Sequence, residues 1–210
     1  MIFDLDGTLV ESIEQHKEAW QETFHPYGIT LTPDELGEQS GKKNTLFIAI
    51  ILERRNRTDL DPQALSREKD EKVIEILQRK PAIVYPHAKE LLQLFHSKGI
   101  WNVLATSSTK RTGYLLAKEI LRYFDAELFA EDIEHGKPNP EMFLKAAQRL
   151  GFVSDDCVVF EDAESGVKAA KAGGFLCVAR DNGFGQDLSG ADLVIQEFDP
   201  PALLTYVRSK

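Results

Sequence analysis

The 210-residue chain has only two cysteines, Cys157 and Cys177, each inside an apolar run. So sparse a pair excludes a disulfide scaffold and reads as buried free thiols, suited to a reducing cytoplasm. Basic residues are also in short supply: 25 Lys and Arg against 34 Asp and Glu give a formal net charge of -9. That deficit argues against nucleic acid or an anionic membrane surface as the main partner, since both select basic surface. It leaves room for a local basic pocket that takes a small anion. No apolar run approaches the ~20 residues that a membrane span needs, and no positively charged signal region precedes the runs that exist. Internal repeats and low-complexity tracts are missing as well. What remains is 42% hydrophobic and 28% charged, the composition of a soluble globular protein with one ordinary domain and a modest second one. A cytoplasmic location is the expectation.

Local patterns divide the chain in two. Between residues 12 and 80 there are helical signals and no convincing strand. Ile13, Trp20 and Phe24 are spaced for one helix face, with Ser12 and Gln15 forming a capping-box pattern. A second cap at Thr32 is followed by proline at the first helical position. A helix over 45–55 is expected to turn Leu46, Ile50 and Ile51 inward, and one over 62–79 to bury Leu65, Val73, Ile76 and Leu77. Lys69 aside, the charge run 67–72 reads as a solvated face. From Pro81 onward, helices expected at 88–98, 114–124, 140–150 and 163–172 alternate with apolar strands at 101–105, 128–130, 157–160, 175–179 and 193–195. That alternation implies right-handed crossovers and a parallel sheet covered on both faces.

The expected core strands end in polar groups. The first, at Ile2-Phe3, runs into Asp4, Asp6 and Gly7; the next ends at Thr106 beside Ser107 and Ser108; a later one ends at Glu161-Asp162. In an open parallel sheet these ends lie along the ligand-binding edge. Two acids one residue apart repel each other unless a cation or a shared proton lies between them. Carboxylates gathered with a hydroxyl and Lys137, which lies in a loop stiffened by prolines, suit a hard divalent cation and a phosphate.

These residues resemble the haloacid dehalogenase superfamily, and within it the β-phosphoglucomutase-like group. The first motif is matched by Asp4-Leu5-Asp6-Gly7-Thr8, the second by Thr106, the third by Lys137 in GKPNPE, and the fourth by Glu161-Asp162 in FEDAESG. The resemblance covers nearly the whole chain. It implies a Rossmann-like α/β core over 1–11 and 81–210 and an inserted helical cap domain over 12–80, with hinge strands near Val10-Glu11 and Ile83-Val84-Tyr85. It further implies Asp4 as the nucleophile, Asp6 as the general acid/base, and Thr106 and Lys137 as phosphate-holding catalytic residues. Mg²⁺ is the implied cofactor, held by Asp4, the backbone carbonyl of Asp6, and Asp162, with Glu161 as a further ligand or a support behind the ligands. Ser12, His16, Trp20 and Lys69 match cap positions that handle sugar phosphates, and Ser107 and Ser108 join them from the core.

An arginine that grips the far phosphate in the mutase aligns near Asn44, where this chain has only Lys42 and Lys43 alongside. The expectation is therefore an Mg²⁺-dependent phosphatase acting on a small phosphorylated metabolite, a sugar phosphate, as a monomer without nucleic acid or membrane partners. β-Phosphoglucomutase activity is the same-chemistry alternative. A phosphonate hydrolase using Lys42 or Lys43, and a non-catalytic binding domain, are the remaining readings. The first strand is short for the centre of a sheet: either the chain begins further upstream or this strand pairs through few residues.

Overall fold

A computed structural model describes residues 1–210. Its strands are β1 (Ile2–Phe3), β2 (Val10–Glu11), β3 (Ile83–Val84), β4 (Val103–Ala105), β5 (Ala126–Leu128), β6 (Val158–Glu161), β7 (Leu176–Arg180) and β8 (Leu193–Ile195). Its helices are α1 (Ile13–Phe24), α2 (Pro33–Glu38), α3 (Asn44–Arg54), α4 (Pro62–Arg79), α5 (Ala88–Ser97), α6 (Lys110–Leu116), α7 (Glu141–Arg149), α8 (Glu164–Ala172) and α9 (Pro200–Arg208). Six strands form one parallel sheet in the order β5-β4-β1-β6-β7-β8. β2 and β3 pair antiparallel as a separate two-stranded ribbon.

The sheet is covered on both faces, as an all-parallel sheet must be. Side chains alternate along each strand, so Phe3, Leu104 and Phe160 face one way with Leu91 and Phe95 of α5 and Leu203 of α9. Ile2, Val103, Val159 and Cys177 face the other, against Met142 and Phe143 of α7 and Val167 of α8. β1 is two residues long and central. Its pairing reaches one residue beyond each end, through Val103 N–H to the Met1 carbonyl and Asp4 N–H to the Phe160 carbonyl. Phe3 is fully buried and stacks on Phe160 with ring centroids 4.6 Å apart. Burial of that ring contributes about 2–3 kcal/mol, and it helps hold so short a strand in place.

Helices α1 to α4 form the cap domain between β2 and β3. It has its own core, in which Trp20, Phe24, Leu36, Phe47, Ile51 and Leu65 meet. The expected cap on α2 is present as a full capping box, with Thr32 and Glu35 each accepting the other's backbone N–H. Val73, Ile76 and Leu77 of α4 join the main core beside the ribbon.

Two expectations need correction. α3 buries Phe47, Ile48, Ile51 and Leu52, while Leu46 is 43% exposed; this helix is apolar nearly all round, so its periodicity does not choose a face and packing against α1 and α4 does. The helix expected over 114–124 instead starts at Lys110, ends at Leu116 and is followed by a 3₁₀ turn at Leu121–Tyr123. The turn between them buries Ala117 and Ile120 in the core. Within the run 67–72, Lys69 is buried while Arg67 and Glu71 are exposed.

Candidate active site

The carboxyl ends of β1, β4 and β6 bring Asp4, Thr106, Glu161 and Asp162 together, and the loop after β5 adds Lys137. Lys137 is completely buried. Its Nζ lies 2.5 Å from Asp4 Oδ1 and also donates to Glu161 Oε1. Burial disfavours its charge, but the two carboxylates outweigh burial and push its pKa above the ordinary lysine value. Glu161 is fully engaged: its other oxygen accepts the backbone N–H groups of Asp162 and Ala163 at 2.9 and 3.0 Å. A Cβ on Gly166 would overlap this carboxylate, so the glycine makes its position possible.

Oxygens of Asp4, Glu161 and Asp162 lie within 4.8 Å of one another. One lysine cannot balance three buried acids. Burial pushes Asp4 up to about 8 despite Lys137, and burial with Glu161 and Asp4 nearby raises Asp162 well above the carboxylate range. An all-oxygen donor set with this charge deficit fits a hard divalent cation, which would restore the ionised forms.

Asp6 is set apart from that cluster. Its side chain accepts from Ser12 Oγ at 2.6 Å, Ser108 Oγ at 2.8 Å, His16 Nε2 at 2.9 Å and Thr106 Oγ1 at 3.2 Å. Lys69 Nζ lies 2.8 Å from His16 Nδ1. An ammonium only donates, so Nδ1 accepts and Nε2 carries the proton given to Asp6. Burial alone would raise Asp6; the His16 imidazole and the Ser12 and Ser108 hydroxyls outweigh it and hold the carboxyl below the usual range. Burial brings Lys69 down to about 8. Ser12 is the N-cap residue of α1 but makes no side-chain cap bond. The expected capping box is therefore absent, because the Ser12 hydroxyl is drawn to the Asp6 carboxylate.

A narrow cleft between core and cap is lined by Asp4, Asp6, Ser107, Ser108, Glu161 and Asp162 from below. His16, Lys17, Lys42, Asn44 and Lys69 line it from the cap. Thr106 and Lys137 lie behind this lining. Three expected substrate residues do not line the cleft, and the first, Ser12, is fully buried with its hydroxyl on Asp6. Trp20 is buried in the cap core, its ring 4.8 Å from that of Phe47, because its face of α1 packs against α3. Lys43 turns to the core and donates to the Ile133 carbonyl at 2.6 Å. Asn44 lines the cleft with its amide bound to Asp70 at 3.1 Å.

The cap is docked through Ser107, expected as a substrate residue, and through Ser165, which sequence reasoning did not single out. Ser107 Oγ donates to the Gly41 carbonyl at 2.8 Å, and Ser165 Oγ donates to the Ser40 carbonyl at 2.7 Å. Gly41 has φ +74° and lies so close to Ser165 that a Cβ would overlap its Oγ. Asn182 and Thr8 on Asp162 were also missed; only Thr8 lies inside a motif.

The model of the haloacid dehalogenase-like hydrolase family matches residues 1–174. The chain belongs to this family. Like other such hydrolases, it is an enzyme of the phosphatase or phosphotransferase kind. It is 35% identical over 183 residues to the fructose-1-phosphate phosphatase YqaB of Escherichia coli, covering 85% of this chain and 94% of that protein. It is 30% identical over 202 residues to a β-phosphoglucomutase of Bacillus subtilis, covering 94% and 88%. The crystal structure of a β-phosphoglucomutase from Clostridium difficile superposes with a TM-score of 0.87 at 23% identity, over 99% of this chain and 96% of that one, which speaks to the hydrolase fold and its cap.

Proposed function

We propose that this hydrolase is an Mg²⁺-dependent phosphatase that cleaves a small sugar phosphate through an aspartyl-phosphate on Asp4. The observation that carries the reading is the division of labour between two acids of one strand end. Asp4 lies against Lys137 in the acidic cluster, while Asp6 faces the cap within reach of four donors. Asp4 and Asp162 would hold the ion directly, and Glu161, already engaged by Lys137 and two backbone N–H groups, would support them from behind. The ion, when bound, supplies charge neutralisation at the phosphoryl oxygens.

The residues of the chain supply the rest. An Asp4 oxygen attacks phosphorus in line while the bond to the sugar oxygen breaks, and the proton on Asp6 goes to that leaving oxygen. A phosphate dianion beside Asp6 raises its pKa by like-charge proximity, which lets it carry that proton. Water then attacks the aspartyl-phosphate, giving its proton to Asp6 and releasing inorganic phosphate from Asp4. Lys137 aims Asp4 and, together with the bound ion, would keep it ionised. Residues 12–80 act as the cap over a core of 1–11 and 81–210, excluding bulk water once docked. Hydrolysis is favoured over mutase chemistry because Asn44 is bound to Asp70 and offers no bidentate cation for a second phosphate. The site is complete within one chain, consistent with a monomer.

The test is a phosphate-release screen over phosphorylated sugars with and without Mg²⁺. Free phosphate and no glucose 6-phosphate are expected from β-glucose 1-phosphate if it is accepted. Asp4→Asn should remove turnover and leave the circular dichroism unchanged; normal turnover in that variant sinks the mechanism.

A further inference from the structure

Asp162 is oriented by residues outside its own motif. Thr8 Oγ1 donates to Asp162 Oδ1 at 3.0 Å, and Asn182 Nδ2 donates to Asp162 Oδ2 at 2.7 Å. The Asn182 side chain is itself fixed, because its Oδ1 accepts the backbone N–H of Phe184 at 3.1 Å. The Phe184 ring in turn lies under the ammonium of Lys17, 4.2 Å from the ring centroid. Lys17 belongs to α1 of the cap and lines the cleft. The loop carrying Asn182 and Phe184 is anchored on the core at both ends. Asp181 N–H donates to the Ile195 carbonyl at 2.7 Å, and Gln186 accepts the N–H of Glu164 at 3.2 Å.

These contacts run without a break from a cap cation to a core carboxylate. An amide whose oxygen is held by a neighbouring N–H presents its Nδ2 in one direction, and the carboxylate it meets keeps one orientation. Lys17 and Phe184 come from different domains, so their contact exists only while the cap is docked. We propose that Asn182 is a positioning residue for the Asp162 carboxylate, and that Phe184 makes this positioning depend on cap docking. The inference rests on the metal-holding role proposed above for Asp162. It predicts that the ion is held more tightly once a ligand has drawn the cap down.

Calorimetric titration of the full chain with Mg²⁺, with and without inorganic phosphate, tests both the inference and its premise. Binding by the unmodified protein that is lost in Asp162→Asn supports the premise; no binding, or binding unchanged in Asp162→Asn, overturns the premise and the inference with it. Given that binding, Asn182→Ala should weaken Mg²⁺ affinity about tenfold or more in both conditions. An affinity within twofold of the unmodified protein overturns the role of Asn182. Should the alanine variant fail to fold, Asn182→Ser, too short to reach Asp162, takes its place. Phe184→Leu keeps the backbone N–H and should weaken affinity by about threefold only when phosphate is present, as a modest cation–π contact allows. Lys17→Met should give the same loss, and the double variant no more. A loss in Phe184→Leu that is equal in both conditions, or absent, overturns the coupling to the cap.

Discussion

Lys137 Nζ stands 2.5 Å from Asp4 Oδ1 and donates to Glu161 as well, so one buried ammonium is shared by acids from two neighbouring strands. Replacing it by an apolar side chain leaves the acids facing one another. Lys137→Met should lower turnover by at least about 10²-fold, the usual loss when one preorganised donor is removed from a site. Lys137→Arg should not rescue, because the ammonium has no exposed surface and the broader guanidinium has no room. Phosphate release at saturating sugar phosphate checks both variants.

The Glu161 side chain occupies the space that a Cβ on Gly166 would need. Gly166→Ala should therefore displace Glu161 from Lys137 and destabilise the fold by about 1–3 kcal/mol through overpacking. Urea unfolding measures the stability. A companion phosphate-release assay should show turnover falling together with it, whereas Gly37→Ala, with no atoms near its Cβ position and an ordinary helical φ, should leave turnover unchanged.

Two hydroxyl bonds, Ser107 to Gly41 and Ser165 to Ser40, fasten the core to the cap. Each is worth about 1 kcal/mol, so Ser107→Ala and Ser165→Ala should each lower kcat/KM about fivefold by disfavouring the docked cap. Small-angle scattering of the double variant with inorganic phosphate should report a more open molecule than the unmodified protein.

Burial pushes the Cys177 thiol from 9.0 up to about 12. Between those values the unfolded chain has lost its thiol proton while the folded chain keeps it, so stability falls as pH rises. The contribution is complete below about pH 9. Cys177→Ala removes this term, and its unfolding free energy should decline less steeply from pH 9 to 12 than that of the unmodified protein. Equal slopes in denaturant titrations would contradict the burial argument.

Groups at the ends of strands were the most legible part of this molecule. Asp4, Thr106, Glu161 and Asp162 converge because a parallel sheet leaves no other place for its carboxyl ends, and the alternation of apolar strands with helices exposes such a sheet in the sequence; Lys137, in a loop beyond β5, was legible through its motif. Side-chain direction within the cap was harder to read. Leu46 lies on a helix rich in apolar residues, where several faces satisfy the pattern and only packing against α1 and α4 selects one; Trp20 falls on the apolar face of α1 by its own spacing, and only the resemblance placed it in the cleft. Ser12 carried a local capping signal that a distant carboxylate overrode. Asn182 gave no signal at all, since its partner Asp162 is 20 positions away and a loop asparagine flanked by Gly183 reads as a turn former.

The cap is joined to the core only through β2 and β3, whose antiparallel register sets Val10 opposite Val84 and Glu11 opposite Ile83. The chain thus leaves the core and re-enters it at almost the same point. To the core, the segment between is a cassette of fixed span. Insertions with closely spaced ends are the kind that folds tolerate. A cap taken from a relative and joined at Glu11 and Ile83 exchanges substrate preference only if it brings its own groups to Asp6, as Ser12 and His16 do here, and its own apolar side chains where Val73, Ile76 and Leu77 complete the main core.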